Sequence, residues 1–168
     1  VVFVTSFDRD ERIAEMVEAA RRLPDTRFFM TGDSTTGAQP LPSDLPPNLT
    51  LTGFLGSREY GRMLRQAGVV IALTTDDHTM QRGAYEAIYH GSPVIVSDTA
   101  VLRQAFDEGA EHVDNSANAI VEAVVRIRGD RARYQIGASR LRERKIRQWQ
   151  QTKERLVALL DQRRAVRS

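Results

Sequence analysis

The stretch GAYEAIYHGSPVIVSD, from Gly83 to Asp98, decides the predicted fold of this chain. It predicts a helix that ends at Gly91, a turn through Pro93 and then a buried strand. A helix start that faces the ends of parallel strands attracts anions through its free N–H groups and its dipole. Glu86, within the helix, would repel a phosphate but can accept hydrogen bonds from sugar hydroxyls. The pattern therefore predicts a site for a nucleotide or a nucleotide sugar.

Strand and helix patterns alternate on both sides of this stretch. Continuous apolar runs predict the buried strands Val1–Thr5, Arg27–Thr31, Asn48–Thr52, Val69–Leu73, Pro93–Ser97 and Glu111–Val113. Apolar residues at helical spacing predict the helices Glu11–Leu23, Ser57–Gln66, Val101–Phe106, 117–128, 130–146 and 148–164, besides the helix that holds Glu86. This alternation predicts an α/β fold, a Rossmann-like parallel sheet of about six strands with helices on both faces.

The length of 168 residues suits a single domain, residues 1–168, in which 130–168 form closing C-terminal helices. We expect Ser57 to cap its helix and Trp149 to pack the terminal helix rather than bind a ligand. The chain begins inside a predicted strand without Met, which indicates part of a longer protein. The absence of cysteine excludes disulfides and thiolate metal sites, and no apolar run approaches the ~20 residues of a membrane span.

Charge is unevenly distributed along the chain. Residues 126–168 carry 14 Lys and Arg against 4 Asp and Glu, whereas residues 1–125 carry 10 against 18. A basic tail on an acidic body indicates an anionic partner, such as a membrane surface, nucleic acid or an acidic neighbouring domain. The alternative is a solvated helical face with no partner.

Ligands of open parallel sheets bind beyond the carboxyl ends of the strands, near the point where the strand order reverses. That rule selects four loops as site-building segments, namely Ser6–Asp10, Gly32–Thr36, Gly53–Gly56 and Thr74–Arg82. Neither a Gly-x-Gly-x-x-Gly motif nor a phosphate-binding Gly-x-x-x-x-Gly-Lys-Ser/Thr motif follows the first strand. Asp76, Asp77 and His78 are adjacent, and adjacent loop residues rarely converge on one ion, so we expect no metal.

The residues at the start of the Glu86 helix have two interpretations each. Glu86 complements the helix dipole or binds sugar hydroxyls. Gly83 costs about 1 kcal/mol against Ala in a helix, and close approach of a ligand to the backbone would explain it. Arg82 is either a surface residue or a clamp for a diphosphate, and its loop position favours the clamp.

Glu86-Ala87 followed by Gly91-Ser92-Pro93-Val94-Ile95-Val96-Ser97 resembles the signature of the donor-binding half of GT-B glycosyltransferases, the large family of retaining nucleotide-sugar enzymes. Asn48–Leu55 resembles the family's third strand and Gly-Phe turn, and Phe29–Asp33 its second strand ending in Gly-Asp. The resemblance implies that the chain is the C-terminal half of a GT-B fold. The N-terminal acceptor domain, which carries most catalytic residues, is then absent from this chain.

The resemblance also implies roles for individual residues. Glu86 would bind the ribose hydroxyls, and Thr79–Gly83 would lie against the diphosphate. His78, beside Asp77, replaces a glutamate that contacts the transferred sugar. Ser6 and Glu11 replace an arginine and a lysine that hold the diphosphate, so Arg9, Arg12 or Arg82 would have to supply positive charge. The expected donor-binding residues are Ser6, Arg9, Phe54, Asp77, His78, Thr79, Met80, Gln81, Arg82, Gly83 and Glu86.

The implied function is sugar transfer with retention from a nucleotide diphosphate sugar, in polysaccharide or cell-envelope glycan synthesis, without metal or other cofactor. We expect a cytoplasmic protein, peripheral at the inner face of the membrane through its basic C-terminal helices, with no nucleic-acid partner. This chain alone is expected to be inactive. Two alternatives remain open: a non-catalytic glycosyltransferase-like interaction domain that has lost donor binding, and a different nucleotide-binding enzyme such as an epimerase or a phosphorylase. The sugar, base, acceptor and oligomeric state stay undefined.

Overall fold

A computed structural model describes the backbone of residues 1–165 and the side chains of residues 1–162. Six parallel strands form one sheet in the order β3-β2-β1-β4-β5-β6. The strands are β1 (Val2–Phe3), β2 (Phe28–Thr31), β3 (Leu49–Gly53), β4 (Val70–Ala72), β5 (Val94–Ser97) and β6 (Ala110–Val113). All six predicted strands are present, most of them slightly shorter than the apolar runs that predict them. The α/β prediction is therefore confirmed.

Six helices connect and cover the strands in the described part of the chain. They are α1 (Ile13–Arg22), α2 (Ser57–Gln66), α3 (Arg82–Tyr89), α4 (Ala100–Ala105), α5 (Ala117–Gly129) and α6 (Arg131–Ala165). The stretch from Gly83 to Asp98 forms α3 after its first residue, a left-handed Gly91 with φ of 80° and the buried strand β5. Glycine suits this conformation because it has no Cβ to clash.

The strand order reverses between β1 and β4. The chain builds β1, β2 and β3 outward in one direction, then returns to place β4 on the other side of β1. Val2 pairs with Val70, and Phe3 pairs with Ile71. The loops that leave β1 and β4 diverge to opposite faces, which opens a crevice at their carboxyl ends.

The core has two layers, one on each face of the sheet. Phe3 points into the layer that α1 and α5 cover, and its neighbour Val2 points into the layer formed with α2, α3, α4 and α6. Alternating side chains along a strand produce this division. Since both faces are buried, the strands carry apolar residues continuously rather than at alternate positions.

The C-terminal region differs from the prediction. Residues 131–165 form the single helix α6 rather than two helices, because no glycine or proline interrupts the region that follows its packed first half. Trp149 does not pack the helix, since 61% of its surface is exposed. The sequence end, 166–168, lies outside the described residues. Ser57 is also not a cap: it is the first residue of α2, and Gly56 occupies the cap position.

The first half of α6 is attached to the domain through core packing, a close glycine contact and ion pairs. Gly137 packs so closely on Gly109 that a Cβ at residue 137 would lie 2.6 Å from the Gly109 nitrogen. Arg144 forms ion pairs with Asp107 and Glu108. Within residues 1–165, none of the helices is both long and apolar enough to cross a membrane.

Candidate functional site

A cleft of about 1070 Å³ opens at the carboxyl ends of β1 and β4. One wall, the β1 wall, is the loop from Ser6 to Glu11. The opposite wall, the α3 wall, consists of Phe54 and Tyr60 from the β3–α2 region with the segment Thr79–Glu86. The floor includes Thr31, the last residue of β2, and Gly32, which follows it. The cleft is therefore located where the topology rule predicts a ligand.

The structure brings most of the predicted donor-binding residues to this cleft. Those that line it are Ser6, Arg9, Phe54, Thr79, Met80, Gln81, Arg82, Gly83 and Glu86. Asp77 and His78 do not line it and are exposed in the loop after β4. The roles of all eleven residues in donor binding stay predictions.

Glu86 faces the cleft from the second turn of α3. Its Oε1 accepts a hydrogen bond from Arg82 Nε at 2.7 Å, and its Oε2 accepts one from the Tyr60 hydroxyl at 2.9 Å. Burial is the main cause, and the bond to Glu86 the second, of a pKa of Tyr60 far above its usual value. The phenol therefore remains a donor. Each carboxylate oxygen accepts two hydrogen bonds, which leaves Glu86 free acceptor capacity toward the cleft.

Arg82 is tied to Glu86 rather than standing alone. The bond to Glu86 raises the pKa of its guanidinium, and 90% of its side chain is exposed. Exposed ion pairs between residues one helical turn apart are weak. A ligand phosphate at the start of α3 could therefore compete with Glu86 for Arg82.

The structure explains the glycine at position 83 by packing within the protein rather than by the approach of a ligand. A Cβ at this position would lie 2.5 Å from Cγ1 of Val4, which follows β1. The glycine is therefore required by the close packing of α3 against the end of β1. No ligand is needed to explain it, although Gly83 does line the cleft.

Phe54 is the most exposed large apolar residue near the cleft. It follows β3 at a turn where Gly53 has a positive φ of 66°, and 87% of its surface is accessible. An isolated exposed aromatic ring has no stabilising role in the fold. Its position at the rim makes its face available for stacking.

Two residues of the β1 wall, Ser6 and Glu11, are hydrogen-bonded to each other. The Ser6 N–H donates to both oxygens of Glu11, at 2.9 and 3.1 Å, and the Ser6 hydroxyl donates to Oε1 at 3.1 Å. Burial raises the pKa of Glu11, and the hydrogen bonds from the loop partly oppose that shift. The two residues predicted to replace diphosphate contacts therefore contact one another.

The loop after β4 is fixed by short-range and long-range bonds. Thr74 donates its hydroxyl proton to Asp10 and accepts from the Asp76 N–H at 3.0 Å. Asp76 accepts from the His78 N–H at 2.8 Å, which lowers the pKa of this carboxyl. The described residues contain no group of three or more His, Cys, Asp or Glu side chains placed to hold a metal ion.

Tyr60 is a site residue that the sequence reasoning missed. It lies 26 positions before its partner Glu86, and it resembles an ordinary half-buried helix residue. Asp10 lies in the loop Ser6–Asp10 that the topology rule selects, but its bond to Thr74 of the loop after β4 was not predicted. Only the fold brings the partners of these two bonds together, so no local sequence pattern would have identified the bonds.

Comparisons with known proteins agree with this architecture. The family model described as glycosyl transferases group 1 matches residues 1–130. Sucrose-phosphate synthase from Thermosynechococcus elongatus has 23% sequence identity and a TM-score of 0.71 over 94% of this chain and 45% of that chain. HepE from Anabaena, in complex with UDP, has 13% identity and a TM-score of 0.71 over 94% of this chain and 48% of that chain. No curated protein matches.

The chain spans about half the length of these solved structures. Its sheet is the Rossmann-like sheet of the GT-B glycosyltransferases that it resembles in structure. The family match covers both walls of the cleft and every strand of the sheet. The chain therefore belongs to the glycosyl transferases of group 1.

Proposed function

We propose that this chain is the nucleotide-sugar-binding domain of a retaining glycosyltransferase. The observation that carries the proposal is that an almost fully exposed Phe54 and the carboxylate of Glu86 line the same cleft at the strand-order reversal. A base and a ribose require these two kinds of group, a stacking face and a hydroxyl acceptor. HepE, which has a similar fold, was solved with UDP and with UDP-glucose.

The geometry supports a specific binding mode. The base stacks on Phe54, and the ribose hydroxyls donate to the free lone pairs of Glu86. The diphosphate then lies at the start of α3, whose first-turn N–H groups and dipole favour an anion. Arg82, released from Glu86, adds a charged contact to the phosphates.

During transfer, the nucleotide diphosphate leaves the sugar and gains negative charge. Preorganised N–H groups and a guanidinium stabilise such charge without a metal ion. The acceptor and the catalytic groups are assigned to an N-terminal domain outside this chain. We therefore expect the 168-residue chain alone to transfer no sugar, and the full-length enzyme to act in polysaccharide or cell-envelope glycan synthesis.

Calorimetry with nucleosides and nucleoside diphosphates tests this proposal. Glu86→Ala should weaken nucleoside binding about tenfold, which corresponds to about 1.4 kcal/mol, because the ribose loses its acceptor. Nucleosides are the informative ligand, since the variant also frees Arg82 to bind phosphate. Glu122→Ala serves as the matched control, because it removes an acid from the exposed face of α5. Equal affinities of the wild type and Glu86→Ala would remove Glu86 from the site.

The β1 wall favours one alternative, a non-catalytic relative that has lost donor binding. The Glu11 carboxylate accepts the N–H of Ser6, and a diphosphate bound at this place would need a positive charge instead. Lack of binding of any nucleoside or nucleotide at millimolar concentration would support this alternative. The family assignment favours glycosyl transfer over the epimerase and phosphorylase alternatives.

We also propose that the second half of α6 docks on an anionic membrane surface, which would place the enzyme at the inner face of a cytoplasmic membrane. The exposed apolar residues Trp149, Leu156, Val157 and Leu160 recur at helical spacing. Exposed Lys153, Glu154 and Arg155 lie between them, and exposed Arg147 precedes them. A helix with an exposed tryptophan and exposed leucines beside basic residues is typical of binding at a membrane interface.

Sedimentation with vesicles tests the membrane proposal. The chain should bind vesicles that contain phosphatidylglycerol at low salt and dissociate at high salt, because salt screens the charges. Trp149→Ala should weaken the binding, and neutral vesicles should bind little. Equal binding to neutral and anionic vesicles, or no binding, would contradict the proposal and favour packing against the N-terminal domain.

A further inference from the structure

The loop after β1 turns through a residue in the left-handed conformation. Phe7 is buried and has a positive φ of 59°, one of two non-glycine residues in the described chain with this conformation. A left-handed residue between ordinary ones turns successive N–H groups to the same side. Such an arrangement, known as a nest, binds anions.

The nest already contains an anion, the carboxylate of Glu11. Both of its oxygens accept from the Ser6 N–H, at 2.9 and 3.1 Å. The N–H groups of Phe7 and Asp8 also act on this carboxylate and oppose the rise in its pKa that burial causes. The protein therefore places its own carboxylate on a surface that would otherwise be available to a phosphate.

The shape of the nest does not depend on Glu11. The N–H groups of Ala38 and Gln39 donate to the Phe7 carbonyl at 2.8 and 3.0 Å. The Gln39 side-chain amide lies 2.6 to 2.9 Å from the carbonyl oxygens of Asp8, Arg9 and Glu11. A Cβ at Gly37 would lie 2.1 Å from the Phe7 Cβ, so this segment supports the loop from below. The nest should keep its shape when the Glu11 carboxylate is removed.

The charge around the cleft reinforces the effect of Glu11. The lining includes the five carboxylates of Asp8, Asp10, Glu11, Asp76 and Glu86, against the two guanidinium groups of Arg9 and Arg82. Three of these carboxylates belong to the β1 wall. A polyphosphate that enters the cleft therefore meets like charge on this wall, where the nest would otherwise attract it.

We propose that Glu11 is the built-in occupant of this nest and a specificity-determining residue that excludes phosphate groups from the β1 wall. The role in nucleotide selection rests on the proposed function of the cleft. In the wild type, the diphosphate is held only by the α3 wall, so the pyrophosphate group adds little to the affinity of a nucleoside. Removal of the charge of Glu11 opens a second phosphate subsite.

Pyrophosphate binding tests the inference without a nucleoside. Glu11→Gln keeps an oxygen acceptor for the Ser6 N–H but removes the charge, and Glu11→Ala empties the nest. Glu11→Ala should bind pyrophosphate at least tenfold more tightly than the wild type, with amide NMR shifts at Ser6, Phe7 and Asp8. Glu11→Gln, which loses the charge but still fills the nest, should gain less. Glu122→Gln removes the same charge outside the cleft and should bind as the wild type does. Circular dichroism verifies that each variant is folded.

Pyrophosphate affinity that is unchanged in both variants, or shifts confined to residues outside Ser6–Asp8, would overturn the inference. Uridine measured in parallel separates this result from a failure of the proposed function. Uridine binding with unchanged pyrophosphate affinity disproves the role of Glu11 alone. Tighter pyrophosphate binding without uridine binding supports the nest and contradicts the nucleotide site.

Discussion

The two walls of the cleft use their polar groups in opposite ways. On the β1 wall, Glu11 bonds to the backbone and hydroxyl of Ser6, so the donors of Ser6 are already occupied. On the α3 wall, Glu86 is held by Tyr60 and Arg82 but still faces the cleft, and Phe54 exposes most of its ring. The first wall is closed by its own carboxylate, whereas the second is open to a ligand.

This difference shows what the fold provides and what the side chains decide. A parallel sheet with reversed strand order provides backbone N–H groups at one edge. Whether those groups bind a phosphate depends on single residues such as Glu11. Membership of a glycosyltransferase family therefore does not by itself imply that both halves of its donor site are open.

The largest expected effect follows from disturbing the close packing of α3, which carries part of the α3 wall, against the end of β1. Gly83→Ala places a Cβ 2.5 Å from Val4 Cγ1, and overpacking of this kind costs about 1–3 kcal/mol of unfolding free energy. Urea denaturation measures the loss. Val4→Ala in the same chain should recover at least about 1 kcal/mol of it by a double-mutant cycle, and strictly additive effects would contradict the contact.

Phe54→Ala removes the stacking face of the open wall. Since base stacking on an aromatic side chain contributes about 1–3 kcal/mol, affinities for nucleosides and nucleoside diphosphates should fall together by about tenfold. The unfolding free energy should stay the same because the ring is exposed. Phe54→Trp is the conservative control and should retain binding. Full nucleoside affinity of Phe54→Ala would show that the base lies elsewhere.

Arg82→Ala separates phosphate binding from nucleoside binding on the same wall. We expect about a threefold loss of affinity for nucleoside diphosphates, because Arg82 contributes only when it exchanges Glu86 for a phosphate. The affinity for nucleosides should change less. Calorimetry with the two ligands gives the ratio, and equal losses for both would argue against a phosphate contact by Arg82.

The smallest expected effect is a pH dependence of stability from the closed wall. Burial raises the pKa of Glu11 in the folded protein, so the folded state holds this proton more tightly than the unfolded state. Stability from Glu11 is then present below the ordinary glutamate pKa and lost as the pH rises through the folded value. Unfolding of the wild type and Glu11→Gln between about pH 4 and pH 7 should show this difference, and parallel profiles would contradict it.

The order and type of the elements could be predicted because buried parallel strands and amphipathic helices have strong local patterns. The position of Glu86 beside the strand-order reversal follows from the same patterns. The continuity of α6 and the exposure of Trp149 were mispredicted, because apolar residues at helical spacing do not reveal whether anything covers them.

The contacts that determine the character of the site could not be predicted. The bond from Tyr60 to Glu86 joins two helices that are distant in sequence. The replacement of positive charge by Ser6 and Glu11 follows from the resemblance, but their mutual bond across the left-handed Phe7 does not. Nothing in the sequence requires a phenylalanine to adopt that conformation, and only the structure shows Gly37 packed closely against it.

The most direct test of the difference between the walls is an amide NMR titration of the wild-type chain with UDP. We predict saturable shifts at Phe54 and along Arg82–Glu86, with much smaller shifts at Ser6, Phe7 and Asp8. Shifts at Ser6–Asp8 as large as those on α3 would show that the β1 wall is open. The absence of saturable shifts on either wall would contradict the proposal that this cleft binds a nucleotide.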